Sequence, residues 1–437
     1  MDQDIKKNIL SISTDTLNGK YHIKNDFARS ILNYPAMMVP SVQEPIIEYL
    51  SMALNNNVSL LDPFVGASNT LVTGMKYGMN VCGQDINPLS ILISQVKTSY
   101  YSIEELIDAQ KRLIDTIKND NLNSIEIDFF NIDKWFTKNS QVELSKIYRA
   151  VNKEASLKIR KFFWVVIAET IRLTSNDRTS TFKMHIRSIE EINQRFVSPI
   201  KTFIKVSHNS IESLTKYIHV INENGYLQKG KYSKNIDIIW GDTNLGINTK
   251  KTFNLLVTSP PYGDNHTTVT YGQFSYLPLQ WIPSEDIDNN ITIDYLRTIQ
   301  EIDSKSLGGK SKINTKEIEE QIFCKSNTLK DFISQFKNEE REKTKKVSRF
   351  VYDLDKSIDN ILLKMRKNSF LVWTIGNRNV NKKIVRNDLI LNELFKFKKI
   401  DLFTDLEREI MSKRMPRRNN FSSMMNKEKI LIYKKTQ

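Results

Sequence analysis

The chain has 437 residues, more than one ordinary core accommodates, so either one large domain with insertions or two to three domains is expected. Lysine and arginine number 64 against 50 aspartates and glutamates, a formal charge of +14 that favours a polyanionic partner such as nucleic acid. The two cysteines, Cys82 and Cys324, lie too far apart for a disulfide framework or a zinc cluster. MDQDIKKNILSIS has no apolar signal core and no run reaches membrane-spanning length, so a cytoplasmic protein of a reducing compartment, without a membrane partner or a bound metal, is expected.

Residues 1 to about 33 are polar. From Tyr34 the text reads YPAMMVPSVQEPIIEYLSMAL, with Pro35 and Pro40 punctuating a loop. The spacing of Ile46, Ile47, Leu50 and Leu54 then predicts a helix over Gln43 to Leu54. Val58 to Leu61 is a short buried strand running into Asp62-Pro63-Phe64-Val65-Gly66-Ala67-Ser68-Asn69-Thr70, and a helix over Leu71 to Tyr77 follows. A strand, a small-residue turn and a helix make half of a βαβ unit, in which Gly66 lets the backbone approach a ligand and the helix offers free N–H groups. The loop is neither the dinucleotide GxGxxG nor a P-loop. Val81 to Asp85 is a second strand ending in a carboxylate, at the place where nucleoside-binding α/β folds accept both ribose hydroxyls.

Residues 98 to about 235 read as a helical insertion, with apolar positions recurring at helical spacing among Lys and Arg. It suits a lid or packing subdomain, or a target-recognition element with Arg172 and Arg178 as candidates for phosphate or base contacts. A strand at 238–240 ends in Gly241-Asp242. Asn254 to Tyr262, NLLVTSPPY, is a strand stopped by Pro260 and Pro261, each of which fixes its own φ and pushes the preceding residue to extended geometry. Ser259 is thus held at a stiff strand tip with the ring of Tyr262 behind it. Beyond lie His266 and the aromatic residues Tyr271, Phe274, Tyr276 and Trp281, candidates either for the core or for stacking on a base. Ser284 to about Arg349 is polar and ends in a mixed charge run, read as a second insertion or a helical excursion with a solvated face. Strands are predicted at Ser369–Trp373, near Ile400–Phe403 and in KILIYKK, with a helix over Asp388–Phe397. MSKRMPRRNN places Lys413, Arg414, Arg417 and Arg418 around one Pro, either a basic surface loop or a clamp on DNA phosphates.

DPFVGAS, the acidic strand end in QDINP and then TSPPY together resemble the amino-methyltransferase family of DNA modification enzymes, which methylate exocyclic nitrogens of cytosine or adenine with S-adenosylmethionine. Tyr34 to Pro40 resembles the segment that packs over the cofactor's methionine end, and the chain has Ala67-Ser68 where the family usually carries Ser/Thr-Gly. The resemblance covers residues 34–97 and 236–282, more softly 365–436. It implies an α/β fold, a doubly wound and mostly parallel class I sheet with antiparallel final strands at one edge. It also implies a cofactor site of Pro35, Asp62, Phe64, Gly66, Ser68, Asp85 and Asp242, with Asp242 facing the adenine amino group. The catalytic set it implies is Ser259, Pro260, Pro261 and Tyr262. The organisation expected is 1–97 as N-terminal segment and cofactor half, 98–235 helical insertion, 236–283 catalytic half, 284–350 polar insertion and 351–437 completing the sheet.

An exocyclic base amine is a poor nucleophile because its lone pair is delocalised into the ring. Acceptors must hold its protons so that the nitrogen pyramidalises; Ser259 Oγ and the Pro260 carbonyl can do so while Tyr262 stacks on the ring, as the corresponding residues do in the family. No Pro-Cys pair is present for attack on the ring carbon. Within a duplex the base must be flipped out. Ser at the first tetrapeptide position leans, in that family, toward N4 of cytosine, and Asp or Asn toward N6 of adenine. The reading is therefore a prokaryotic or phage cytosine-N4 DNA methyltransferase acting on double-stranded DNA, the protective half of a restriction–modification pair whose endonuclease acts on the same site without a stable complex. An adenine-N6 enzyme, an RNA methyltransferase and a non-catalytic binding module stay open beside it.

Overall fold

The computed structural model describes residues 2–20, 31–35, 38–55, 57–179, 183–266, 268–291, 293–310, 313–410 and 427–437. Its centre is a seven-stranded sheet of β1 (Ser59–Asp62), β2 (Asn80–Asp85), β3 (Ile236–Trp240), β4 (Phe253–Thr258), β5 (Met365–Gly376), β6 (Asp401–Glu409) and β7 (Lys427–Lys435). The spatial order is β6-β7-β5-β4-β1-β2-β3. Strands β1 to β5 are mutually parallel, and β7 runs antiparallel to both β5 and β6. The fold class is α/β, a mostly parallel doubly wound sheet, as the sequence implied, with the reversed strand near one edge.

Strands buried on both faces read as unbroken apolar runs, which is why SLLD, FNLLVT and SFLVWTIG carry so few charges. The pleat sends alternate residues to opposite faces. Leu60, Val81, Leu255, Val257, Phe370 and Val372 join one hydrophobic core, and Leu61, Cys82, Leu256, Leu371 and Trp373 the other. The first face is covered by helices Pro40–Ala53, Asn69–Lys76 and Pro88–Thr98 and by the helical insertion. The insertion's helix Leu157–Thr174 is buried almost all round, with Phe162, Phe163 and Trp164 inside. That helix is locked to the segment after the tetrapeptide: Arg160 donates twice to Asp286, at 2.6 and 2.7 Å, and Trp164 Nε1 donates to the same carboxylate at 2.7 Å.

The second face is covered by Thr315–Phe323, Asn327–Ser334, Lys345–Leu362 and Asn387–Phe397. Helix Lys345–Leu362 runs across residue 350, so the polar stretch and the final segment share one element. Its Val347, Phe350, Val351, Leu354, Ile358 and Ile361 make a buried stripe at helical spacing, and most of the charge run precedes it in a 3-10 turn over Asn338–Lys343. The polar N-terminus also has structure: helix Asp2–Leu10 buries Ile5 and Ile9. Among the described residues no helix is long and apolar enough to cross a membrane.

Candidate active site

The strand order reverses between β1 and β4, and in open α/β sheets ligands bind beyond the carboxyl ends of strands at such a switch point. A cavity enclosing about 840 Å³, including its open mouth, lies there. The loop after β1 supplies Phe64, Gly66 and Asn69, the end of β2 supplies Asp85 and Ile86, and the end of β3 Asp242. The end of β4 supplies Ser259 and Pro261. Tyr34, Pro35 and Met38 of the N-terminal segment form one wall.

The loop after β1 is held from within its own unit. Gly66 sits at φ +48°, and its N–H donates to Asp85 Oδ2 at 2.9 Å, while Asn87 N–H donates to Oδ1 at 2.9 Å. Burial raises the Asp85 carboxyl above its usual range, and these two donors work against that. The Ser90 side chain and the Ile86 N–H also face this carboxylate, which lines the cavity. Ser90 Oγ fixes the Gly66 carbonyl at 2.6 Å, and the fully buried Lys97 donates to the Ala67 carbonyl at 2.7 Å and to Asn69 Oδ1 at 3.2 Å. Asn69 in turn donates to the Met38 carbonyl at 2.8 Å, tying the loop to the N-terminal wall. Asn87 caps helix Pro88–Thr98 and donates to Tyr34 Oη at 2.9 Å. Tyr34 is stacked on Tyr271, with ring centroids 5.8 Å apart.

Ser68 takes up the left-handed conformation at φ +66°, the geometry a glycine supplies without strain. The chain thus retains a glycine-like backbone at the position where Ser replaces the usual Gly. Ser68 is fully buried with its Oγ unpartnered, and it does not line the cavity. Asp62 is also buried behind the cavity wall. It accepts from Thr258 Oγ1 at 2.7 Å and from Phe64 N–H at 3.2 Å, joining the ends of β1 and β4, and burial raises its carboxyl to about 6. Asp242 lines the cavity, accepts from Asn244 N–H at 2.9 Å, and is raised by burial.

At the tetrapeptide, Ser259 and Pro261 line the cavity, whereas Pro260 and Tyr262 do not. Tyr262 is half-buried; its Oη accepts from Ser259 Oγ at 3.3 Å and donates to Glu428 Oε1 of β7 at 3.0 Å. Its carbonyl accepts from Asn387 Nδ2 at 2.9 Å. A Cβ at Gly263 would meet Arg378 Nη1 at 1.7 Å, so any larger residue there would displace the guanidinium from its place beside Asp264. Asp264, with no exposure, faces Arg378 Nη1 and Lys346 Nζ, each at 3.3 Å. Of the aromatic run, Tyr271 lines the cavity and Tyr276 and Trp281 are core; His266 pairs with Ser304 at 3.3 Å.

Residues not anticipated from the sequence complete the lining: Asn265, Ile302, Ser306 and Leu307, the last three from the polar stretch. Asn265 is buried and its Oδ1 has no partner, so it can receive a donor from a ligand. Arg172 and Arg178 do not line the cavity. Arg172 donates twice to Glu169 on its own helix, at 2.7 and 2.6 Å, and Arg178 pairs with Glu191 at 3.2 Å. That Glu169–Arg172 spacing was visible in the sequence. Lys413, Arg414, Arg417 and Arg418 lie outside the described residues, and no group of residues able to hold a metal occurs among the described ones.

These residues fit S-adenosylmethionine. Two separate carboxylates, Asp85 and Asp242, suit a ribose diol and a heterocyclic amine, Ile86 and Leu307 give apolar walls, and the orphaned Asn265 oxygen accepts a donor.

The chain is 31% identical over 442 residues to the type II methyltransferase M.MvaI of Kocuria varians, covering 97% of this chain and 92% of that protein. It is 29% identical over 148 residues to the type II methyltransferase M.MjaII of Methanocaldococcus jannaschii, covering 33% of this chain and 24% of the relative. No family model and no solved structure matches.

Proposed function

The chain belongs to the type II methyltransferase family, and from that premise we propose that it transfers a methyl group from S-adenosylmethionine to N4 of cytosine in double-stranded DNA. It would be the modification half of a restriction–modification pair, acting in the cytoplasm on sites that a separate endonuclease cuts. The observation that carries the reading is that Ser259 and Pro261 of TSPPY line the same cavity as Asp85 and Asp242. A cofactor held by the two carboxylates and a base at the tetrapeptide therefore share one enclosed space, as direct transfer requires.

Bound there, the cofactor supplies an electrophilic methyl on a sulfonium that leaves as a neutral thioether. The chain's part is positional. Asp85 accepts the ribose hydroxyls and Asp242 the adenine amine. Ser259 and the tetrapeptide backbone accept the protons of the substrate amine so that its lone pair turns outward. The net charge of +14 supports a duplex partner, with phosphate contacts holding the strained DNA while the base is extruded.

The test is to incubate the protein with methyl-labelled S-adenosylmethionine and mixed-sequence duplex DNA, digest to nucleosides and identify the labelled one. N4-methylcytosine is the expected product. N6-methyladenine would keep cofactor and mechanism but overturn the choice of amine, and label appearing only in RNA would overturn the substrate class.

A further inference from the structure

A hydroxyl carries one proton and two acceptor lone pairs, so Ser259 can accept from a substrate amine only if its own proton is directed elsewhere. In the structure that proton goes to Tyr262 Oη at 3.3 Å, and the Tyr262 proton goes to Glu428 Oε1 at 3.0 Å. A carboxylate only accepts, which fixes the direction of the whole chain. Glu428 stands on β7 directly across from Arg408 of β6, and Arg408 Nε lies 3.1 Å from Glu428 Oε2. Both side chains are largely shielded, at 14% exposure for Glu428 and 10% for Arg408, so the carboxylate and the guanidinium meet away from bulk water. Burial and the neighbouring Glu428 charge push the Tyr262 phenol well above its usual value, so Tyr262 stays a donor throughout the working range. The Arg408–Glu428 pair also joins β6 to β7, but the Tyr262 contact with Glu428 adds nothing to the backbone ladders of β5, β6 and β7.

We propose that Glu428 is a positioning residue that sets the polarity of a Glu428–Tyr262–Ser259 hydroxyl chain, leaving the lone pairs of Ser259 open to the substrate amine. The inference rests on the reading of Ser259 as the amine's acceptor and extends it to the reversed strand, which thereby has a part in the chemistry as well as in the fold. A glutamine at 428 could donate to Tyr262, turn the Tyr262 proton toward Ser259 and occupy a lone pair that the amine requires.

The experiment is a single-turnover methyl transfer with labelled S-adenosylmethionine, enzyme in excess over duplex DNA, for the wild type, Glu428→Gln, Tyr262→Phe and the double variant. Kd values for cofactor and duplex are measured alongside. Label from the wild type secures the reading beneath; its absence would sink that reading separately from the relay. With the wild type active, Glu428→Gln is expected to slow transfer about tenfold, the worth of one hydrogen bond in a shielded site, with both Kd values within about twofold. Tyr262→Phe should do the same, and the double variant should be no slower than the slower single. A wild-type rate for Glu428→Gln, losses that multiply in the double variant, or a loss accounted for by weaker binding would each overturn the proposal. If Glu428→Gln does not fold, Tyr262→Phe decides: a tenfold loss with cofactor binding intact supports the chain, and an unchanged rate overturns it.

Discussion

Around the loop after β1, many of the bonds that shape the cavity are made within one stretch of chain, although Thr258 to Asp62 and Thr243 to Pro63 tie its start to distant strands. Gly66 reaches Asp85 over 19 residues, Ser90 reaches Gly66 over 24, and Lys97 reaches Ala67 over 30. Around the tetrapeptide they are made across the molecule. Asp264 meets Arg378 over 114 residues, Tyr262 meets Asn387 over 125, and Tyr262 meets Glu428 over 166. The first end is a βαβ unit that is shaped as it forms. The second acquires its geometry only when β5, β7 and helix Lys345–Leu362 have docked. Ligand binding at the first end and chemistry at the second should therefore fail separately under mutation.

The largest expected separation comes from Asp264→Asn. It removes the carboxylate that faces the largely buried Arg378, whose guanidinium burial already disfavours. Taking one partner from a buried ion pair costs roughly 3 kcal/mol or more. Thermal unfolding should show that loss, and methyl transfer should fall with it. Cofactor affinity, measured by calorimetry well below the unfolding midpoint, should stay near that of the wild type. A parallel collapse of cofactor binding would show the two ends to be one unit and break the contrast.

The same contrast explains what could be read from the sequence. DPFVGAS, the carboxylate at the end of β2 and TSPPY were legible because each is a local arrangement, in which turn residues, a strand and a cap dictate one another. Asp85, Gly66 and Ser259 came from such arrangements and Asp242 from the family resemblance, and all four line the cavity. Glu428 was not legible, because KEKILIYKK reads as an edge strand with solvated charges, and only the pairing of β7 with β6 and β5 brings that carboxylate to Tyr262. Leu307 was hidden for a similar reason, as its place in the cavity depends on how a polar stretch folds back. Helix Lys345–Leu362 is different. Its apolar stripe was present in the text at helical spacing and was masked by the charge run that precedes it.

A second and smaller separation should come from Lys97→Met. Methionine keeps the length of the side chain but removes the donor shared by the Ala67 carbonyl and Asn69 Oδ1. Leaving buried acceptors short of a donor costs about 2 kcal/mol. Here the sign of the contrast inverts: cofactor Kd should rise, by about fivefold if half of that cost falls on the ligand-ready loop, while the single-turnover rate at saturating cofactor holds. A slower rate at saturation with unchanged Kd would place Lys97 on the chemistry side instead.

The smallest expected effect belongs to Ser68→Gly, and it tests whether the serine is tolerated or used. Left-handed geometry costs an L-residue about 1–2 kcal/mol, and glycine gives back about 0.5–1 of that through the greater freedom of its unfolded chain. The Ser68 hydroxyl has no partner and is fully buried, so its removal adds to the gain. The substitution should therefore stabilise the protein by about 1 kcal/mol in a thermal or denaturant melt. With cofactor Kd unchanged, the serine is a strained substitute that Lys97 and Ser90 hold in a glycine's conformation by fixing the carbonyls of Ala67 and Gly66. A weaker Kd alongside the same gain in stability would mean that the hydroxyl turns toward the ligand on binding. The strain at residue 68 would then be kept for function, and the self-contained end of the cavity would depend on a side chain as the tetrapeptide end does.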